Sequence, residues 1–283
     1  MNAPNFPINP VIGQRWQQWM WNGVMWVCAP ATGVQVLRQV FLASGTYMPS
    51  PGLVSAQVLC LGAGGGGGCA VGQATYLGSG GGGGSGALSS VILPGSVVLG
   101  GVAVTVGVGG LGGIAPGAAS AGSATSFGAL CVAQGGLPGN GVGNGTQGMG
   151  DGGAGGPATG VGDILQQGMA GDSGNIVGTP AAGSFAHSAS GGVMLGGNNR
   201  GPNFGAGGVL NGAAGHPNSG AGGSGGAYNE TTASANGGNG ATGICTVIEY
   251  CWADVAPNED CGCPPGGARI AGGWQPHGGF DGG

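Results

Sequence analysis

Residues 243–250 read Gly-Ile-Cys-Thr-Val-Ile-Glu-Tyr, and the run continues through Cys251 and Trp252. Packed β-branched and apolar residues after a long span of Gly, Ala, Asn and Ser at 134–240 mark a strand. Working outward from it, earlier strand signals stand at Val40-Phe41-Leu42, at Val54 to Leu61, at 87–93 and at 124–133. Turns are expected at Ser44-Gly45-Thr46, at Pro49-Ser50-Pro51-Gly52 and at Pro94-Gly95. Between them, 97–108 places Val102, Val104, Val106 and Val108 at a period of two, the mark of a half-buried sheet. A sheet opened early and completed only at 243–252 must carry the glycine region between its strands. The reading is an all-β domain over 39–252, a jelly-roll-like β-sandwich with a glycine-rich insertion at about 134–240.

Glycine supplies 77 of the 283 residues and proline 17. Without a strict period, such a content usually signals low-complexity disorder. Here only 5% of residues are charged and 41% are hydrophobic, the opposite of a solvated coil. Each glycine costs about 0.5–1 kcal/mol more than alanine to fix in regular structure. What glycine permits in return is main-chain approach, so the expected compensation is dense hydrogen bonding between extended or polyproline-II-like segments. Collagen is excluded, because Gly64–Gly68 and Gly80–Gly84 break the every-third-residue rule.

The formal net charge is −5, with Arg15, Arg38, Arg200 and Arg269 and no Lys. That excludes a nucleic-acid partner, whose phosphates need clustered cations. No apolar run reaches the roughly 18 residues of a membrane span, and the start lacks a basic and apolar secretion signal, so no membrane insertion is expected. The acids Asp151, Asp163, Asp172, Glu230, Glu249, Asp254, Glu259, Asp260 and Asp281 are scattered, with only His187, His216 and His277 beside them. No acid–base pair stands at a useful spacing, and chance matches to phosphate-binding glycine motifs lack the lysine or the strand–helix context they need. The expectation is a protein that is not an enzyme and uses no cofactor.

Residues 1–38 form a separate module in which glycine is sparse and Trp16, Trp19, Trp21 and Trp26 gather. Asn22-Gly23 between Trp-rich flanks reads as a hairpin with a type I′ turn, with Trp21 and Trp26 neighbours across it. These Trp are either the core of a tiny domain or a stacking platform for sugars. Cys60, Cys131 and Cys245 fall inside apolar strand runs, where a free thiol behaves as a small hydrophobe. Cys251, Cys261 and Cys263 are disulfide candidates or, with His277, a metal site, although their spacing fits no common zinc pattern. Residues 253–283 read as an irregular tail.

The order of motifs has a family likeness. Phe41-Leu42-Ala43-Ser44-Gly45-Thr46-Tyr47-Met48-Pro49 through Ala63 and its five glycines, then Val102 to Gly110, Gly122 to Gly128, Ala133 to Gly136 and Gly243 to Tyr250, resemble the glycine-rich domain of bacteriophage tail and virion fibre proteins. Phe6-Pro7, Pro10, Gly13-Gln14, Trp16, Trp21-Asn22-Gly23 and Trp26-Val27 are similar to a short module at the start of such fibres. The resemblance implies a non-enzymatic virion subunit of a tail fibre, collar spike or head fibre, assembled in the host cytoplasm. It implies polyglycine-II segments packed beside the sandwich, anchoring to other virion proteins through Trp16, Trp19, Trp21 and Trp26, and a homo-oligomer, most often a trimer. The alternative is a receptor-binding adhesin whose glycine-lobe loops meet a host-surface glycan or protein. Its contact candidates are Phe185, His187, Arg200, Phe204 and His216, in the least repetitive stretches. Otherwise those stretches are turns between extended segments, with apolar plugs inside.

Overall fold

The computed structural model describes residues 15–16, 19–21, 26–28, 34–143, 147–177, 185–187, 189–193 and 208–252. Strands β1 (Arg15–Trp16), β2 (Trp19–Trp21) and β3 (Trp26–Cys28) make an antiparallel sheet of their own. The body, compact from Gln35 to Cys251, contains the rest. In chain order these are β4 (Val34–Phe41), β5 (Gly45–Tyr47), β6 (Leu53–Leu61), β7 (Gln73–Ser79), β8 (Leu88–Pro94), the one-turn helix α1 (Gly95–Val98) and β9 (Val102–Thr105). There follow β10 (Thr125–Phe127), β11 (Cys131–Ala133), β12 (Gly148–Met149), β13 (Ile164–Gln166), β14 (Asn175–Val177), β15 (Phe185–His187), β16 (Val209–Leu210), β17 (Ala227–Thr231) and β18 (Ile244–Trp252). The described chain is thus almost wholly strand and extended segment.

Two sheets face each other across one apolar core. One runs β13-β8-β6-β18-β4, the other β11-β10-β9-β5. Strand β18 enters late in the chain yet sits in the interior of its sheet, pairing antiparallel with β6 in the register Cys245↔Cys60, Val247↔Val58 and Glu249↔Ala56. Its alternation is complete: Cys245, Val247, Glu249 and Cys251 are buried, while Ile244, Thr246, Ile248 and Tyr250 lie half-buried on the other face. Across the core, Val58, Val91, Leu93 and Val247 meet Val104, Val106, Phe127 and Cys131. The Tyr47 and Phe127 rings close one end with centroids 5.1 Å apart.

Three local readings change. Pro94-Gly95 is not a turn into a long strand; it opens α1, whose Val98 is fully buried in the core, so strand β9 begins only at Val102. Val102, Val104 and Val106 do point toward the core, but Val108 is 68% exposed, because the chain has left the sheet by then. The single strand expected over 124–133 is a hairpin, β10 paired with β11, turning where Gly128 takes φ +52°. In the N-terminal sheet Trp21 pairs with Trp26, neighbours across the hairpin as expected. The turn itself lies outside the described residues.

A third sheet, β12-β7-β17-β16, carries Tyr228, buried with Ala70, Val142 and Ala235. Its ring lies so close to Gly78 that a Cβ there would come within 2.1 Å of Tyr228 Cε1. Between all these strands run glycine segments, and they begin well before residue 134: residues 62–72, 80–87 and 107–123 belong to the same bonded assembly.

Candidate functional site

A glycine segment has no side chain to bury, so its stability rests on where its amides and carbonyls go. Along 62–68 they leave in three directions in rotation. Gly62, Gly65 and Gly68 N–H donate to Ala87, Gly84 and Gly81; Ala63 and Gly66 donate to Ser123 and Ser120; Gly64 and Gly67 donate to Ala241 and Gly238, all at 2.8–3.1 Å. A direction that returns every third residue belongs to a chain with three residues per turn and no internal hydrogen bonds. The carbonyls follow the same rotation: Gly64 and Gly67 accept from Gly110 and Gly113, Ala63 and Gly66 from Gly136 and Gly139, and Gly65 and Gly68 from Gly223 and Gly226. Segment 62–68 is therefore ringed by 81–87, 110–113, 120–123, 136–139, 223–226 and 238–241.

The second pentaglycine repeats the arrangement. Gly80, Gly83 and Gly86 donate to Gly226, Gly223 and Gly220, while Gly81, Gly84 and Ala87 donate to Asn140, Leu137 and Gln134. Gly82 and Ser85 donate to Asp172 and Met169, and Ser79, Gly82 and Ser85 accept from Gly150, Gly153 and Gly156. The two pentaglycines are thus adjacent centres of one lattice. Glycine is obligatory there: a Cβ on Gly66 would stand 2.0 Å from the Leu111 carbonyl oxygen, and on Gly83 2.2 Å from that of Gly65.

At the perimeter the same three-residue turn leaves one direction free. In Val108-Gly109-Gly110-Leu111-Gly112-Gly113-Ile114 the glycines face their neighbours, and Val108, Leu111 and Ile114 stand outward, 68%, 66% and 71% exposed. At about 3.1 Å rise per residue, they are spaced about 9 Å apart along a rigid edge. Gln134, Leu137 and Asn140, and Asp151, Ala154 and Pro157, repeat the spacing. Of the apolar residues here, Leu137 and Ile164 stand outward, 47% and 63% exposed, whereas Val142 is buried against Tyr228. The lattice is a scaffold whose edges hold side chains at fixed positions.

The sequence-based site residues that are described fall on separate elements. Trp16, Trp19, Trp21 and Trp26 lie on β1, β2 and β3, and Phe185 and His187 on β15, which pairs with β14. His216 is exposed, and its carbonyl accepts from the Ser219 amide and hydroxyl at the turn over 217–220. Arg200, Phe204, Cys261, Cys263 and His277 lie outside the described residues. Cys251 is buried with a free thiol, its pKa pushed up by burial. Among the described residues no three His, Cys, Asp or Glu gather as metal ligands.

One polar site escaped the sequence reading. Glu249, fully buried, receives the Tyr47 hydroxyl at 2.6 Å, the Ser50 amide at 2.9 Å, the Ser50 hydroxyl at 2.7 Å and Gln39 Nε2 at 3.3 Å. Burial raises its pKa, but these donors outweigh burial and hold the carboxyl below its usual range. Burial, then the hydrogen bond to Glu249, push the Tyr47 phenol up. The signal was present in the sequence: Glu249 occupies an inward position of β18, where an unpaired charge is not tolerated. Nearby, Cys60 Sγ lies 3.7 Å from Cys245 Sγ, and the Cys131 thiol donates to Ser89 Oγ at 3.4 Å. Hydrogen bonding to Cys131 and Cys245, with burial, pushes the Cys60 thiol up, so it packs as a protonated group.

A family model described as a glycine-rich domain matches residues 42–250. No curated protein matches the chain.

Proposed function

The chain belongs to the glycine-rich domain family, and we propose that it is a structural subunit of a bacteriophage particle, a tail fibre, collar spike or head fibre. In this reading the body is a jelly-roll-like sandwich bearing a polyglycine-II-like lobe as its insertion. The supporting observation is the lattice around 62–68 and 80–87, whose amides and carbonyls are consumed by neighbouring main chains while its edges present side chains outward. Such a body resists unfolding with few apolar groups and offers surface in place of an enclosed catalytic cavity. That suits a component which must survive outside a cell. The sheet β1-β2-β3, with Trp16, Trp19, Trp21 and Trp26, is the proposed anchor to other virion proteins, and the assembled form a homo-oligomer, a trimer in the first instance.

The test is direct. Antibody labelling or cryo-electron microscopy of intact particles should place the body on the exterior. Strand β4 begins at Val34, so the anchor is removed by deleting residues 1–33. The truncated chain should fold and fail to join the particle; its retention there would sink the anchoring role, and absence of the full chain from purified particles would sink the reading as a whole.

A second reading is favoured by the exposed His216 beside a tight turn where Asn218 takes φ +58°. Turn residues held by a rigid scaffold suit recognition of a host-surface glycan or protein, with Phe185, His187, Arg200, Phe204 and His216 as contacts. Binding of the purified chain to host cells, abolished by His216→Ala together with Phe185→Ala, would separate an adhesin from a purely structural subunit.

A further inference from the structure

Strands of the five-stranded sheet alternate, and the side chains that do not enter the core stand on its outer face. There Leu59, Ile244 and Ile248 line a groove of about 340 Å³. Around it Val36, Ile92 and Ile164 are 58%, 64% and 63% exposed. Soluble monomers rarely leave so continuous an apolar patch open beyond a few hundred Å². Its five strands, from three to nine residues long, stand about 4.8 Å apart and rise about 3.4 Å per residue, so the face spans roughly 600 Å². That is the order of the roughly 800 Å² that each partner contributes to a stable interface.

The few charges on this face are arranged for self-association. The strand order β13-β8-β6-β18-β4 puts Asp163, the residue before β13, at one edge and Arg38 of β4 at the other. Asp163 is fixed there: its amide donates to the Ser90 carbonyl, and its Oδ2 accepts from the Ile92 amide at 3.1 Å. Arg38 lines the groove with Thr246 and Ile248, which lie in register, through Leu59 and Gln57 of β6, with Ser90 and Ile92. The two charges therefore stand at similar height on opposite edges. A rotation axis parallel to the strands carries one edge onto the opposite edge of the next copy without changing that height. An axis across the strands would set like edge on like edge.

We propose that this outer face is where copies of the chain meet, about an axis parallel to its strands, with Arg38 of one copy against Asp163 of the next. The inference rests on the oligomeric part of the reading above and can fail separately from it. The experiment is sedimentation of the full chain at micromolar concentration, wild type against Ile92→Asp, Ile164→Asp, Arg38→Asp and the exchanged pair Arg38→Asp with Asp163→Arg. Ile92 and Ile164 are solvent-exposed in a single copy, so these variants keep the fold, checked by circular dichroism. The wild type should sediment as an oligomer, and Ile92→Asp and Ile164→Asp should weaken association at least about 100-fold. Arg38→Asp should weaken it about 10-fold, and the exchanged pair should recover most of that. A monomeric wild type, whether its face is covered by its own termini or awaits a foreign partner, overturns the inference. So does an oligomer indifferent to Ile92→Asp and Ile164→Asp, which would leave the oligomeric reading standing with its contacts elsewhere.

Discussion

Glu249 shows how a single side chain ties the closing strand to the rest of the sandwich. Its carboxylate gathers Tyr47 from β5, Ser50 from the following loop and Gln39 from β4 onto β18. A buried carboxylate without a cation is tolerable only because donors fill its lone pairs, and removing it orphans all of them. Glu249→Ala should therefore lower the unfolding free energy by about 3 kcal/mol, measured by denaturant titration. The pH dependence has a definite sign. The folded carboxyl titrates below its unfolded value, so its stabilisation is complete above the unfolded carboxylate pKa and is lost as pH falls through the depressed folded one. Glu249→Gln, already neutral, should flatten the acid side of the stability profile between those two values. An unchanged acid limb would mean that the carboxyl titrates alike in the folded and unfolded chain, so that the donors do not favour its charged form.

At the scale of the element, the strands were legible because they obey a period of two in side chains: β6 and β18 fall where Val54 to Leu61 and Gly243 to Tyr250 placed them. The lattice was legible only as a demand for main-chain bonding, since its period lies in the directions of amides and carbonyls, which a residue-type pattern barely records. It does leave a trace. Enclosed segments such as Gly64–Gly68 need glycine at every position, and edge segments such as Val108 to Ile114 need it at two positions in three. The stretch 95–101 was misread because a one-turn helix carries no periodicity, and the Glu249 cluster because its donors come from distant parts of the chain. The edge rule is open to test. Gly66→Ala forces a Cβ to 2.0 Å from the Leu111 carbonyl oxygen, and backbone cannot swing aside as a flexible side chain would. It should destabilise by about 3 kcal/mol or more, whereas Leu137→Ala, on an outward position, should stay within about 0.5 kcal/mol. Equal effects of the two in thermal melts would refute the distinction between centre and edge.

For the whole molecule, the balance of forces differs from that of an ordinary globular domain. The sandwich core is small, built around Val58, Val91, Phe127 and Val247, while the lattice is held by main-chain bonds that exclude water with hardly any apolar side chains. Unfolding the lattice exposes peptide groups, and polar exposure lowers the heat capacity where apolar exposure raises it. The calorimetric heat-capacity increment should then fall below about 10 cal/mol/K per residue, against the usual 12–15. The unfolding transition should be single, because the lattice cannot separate from the sandwich. Segment 235–241 donates into the lattice and leads directly into β18, and segment 62–68 leaves directly from β6. Amides of 62–68 and 80–87 should accordingly exchange with solvent as slowly as those of β6 and β18. A normal heat-capacity increment, or lattice amides that exchange before the sheet opens, would show that apolar burial alone holds the body together.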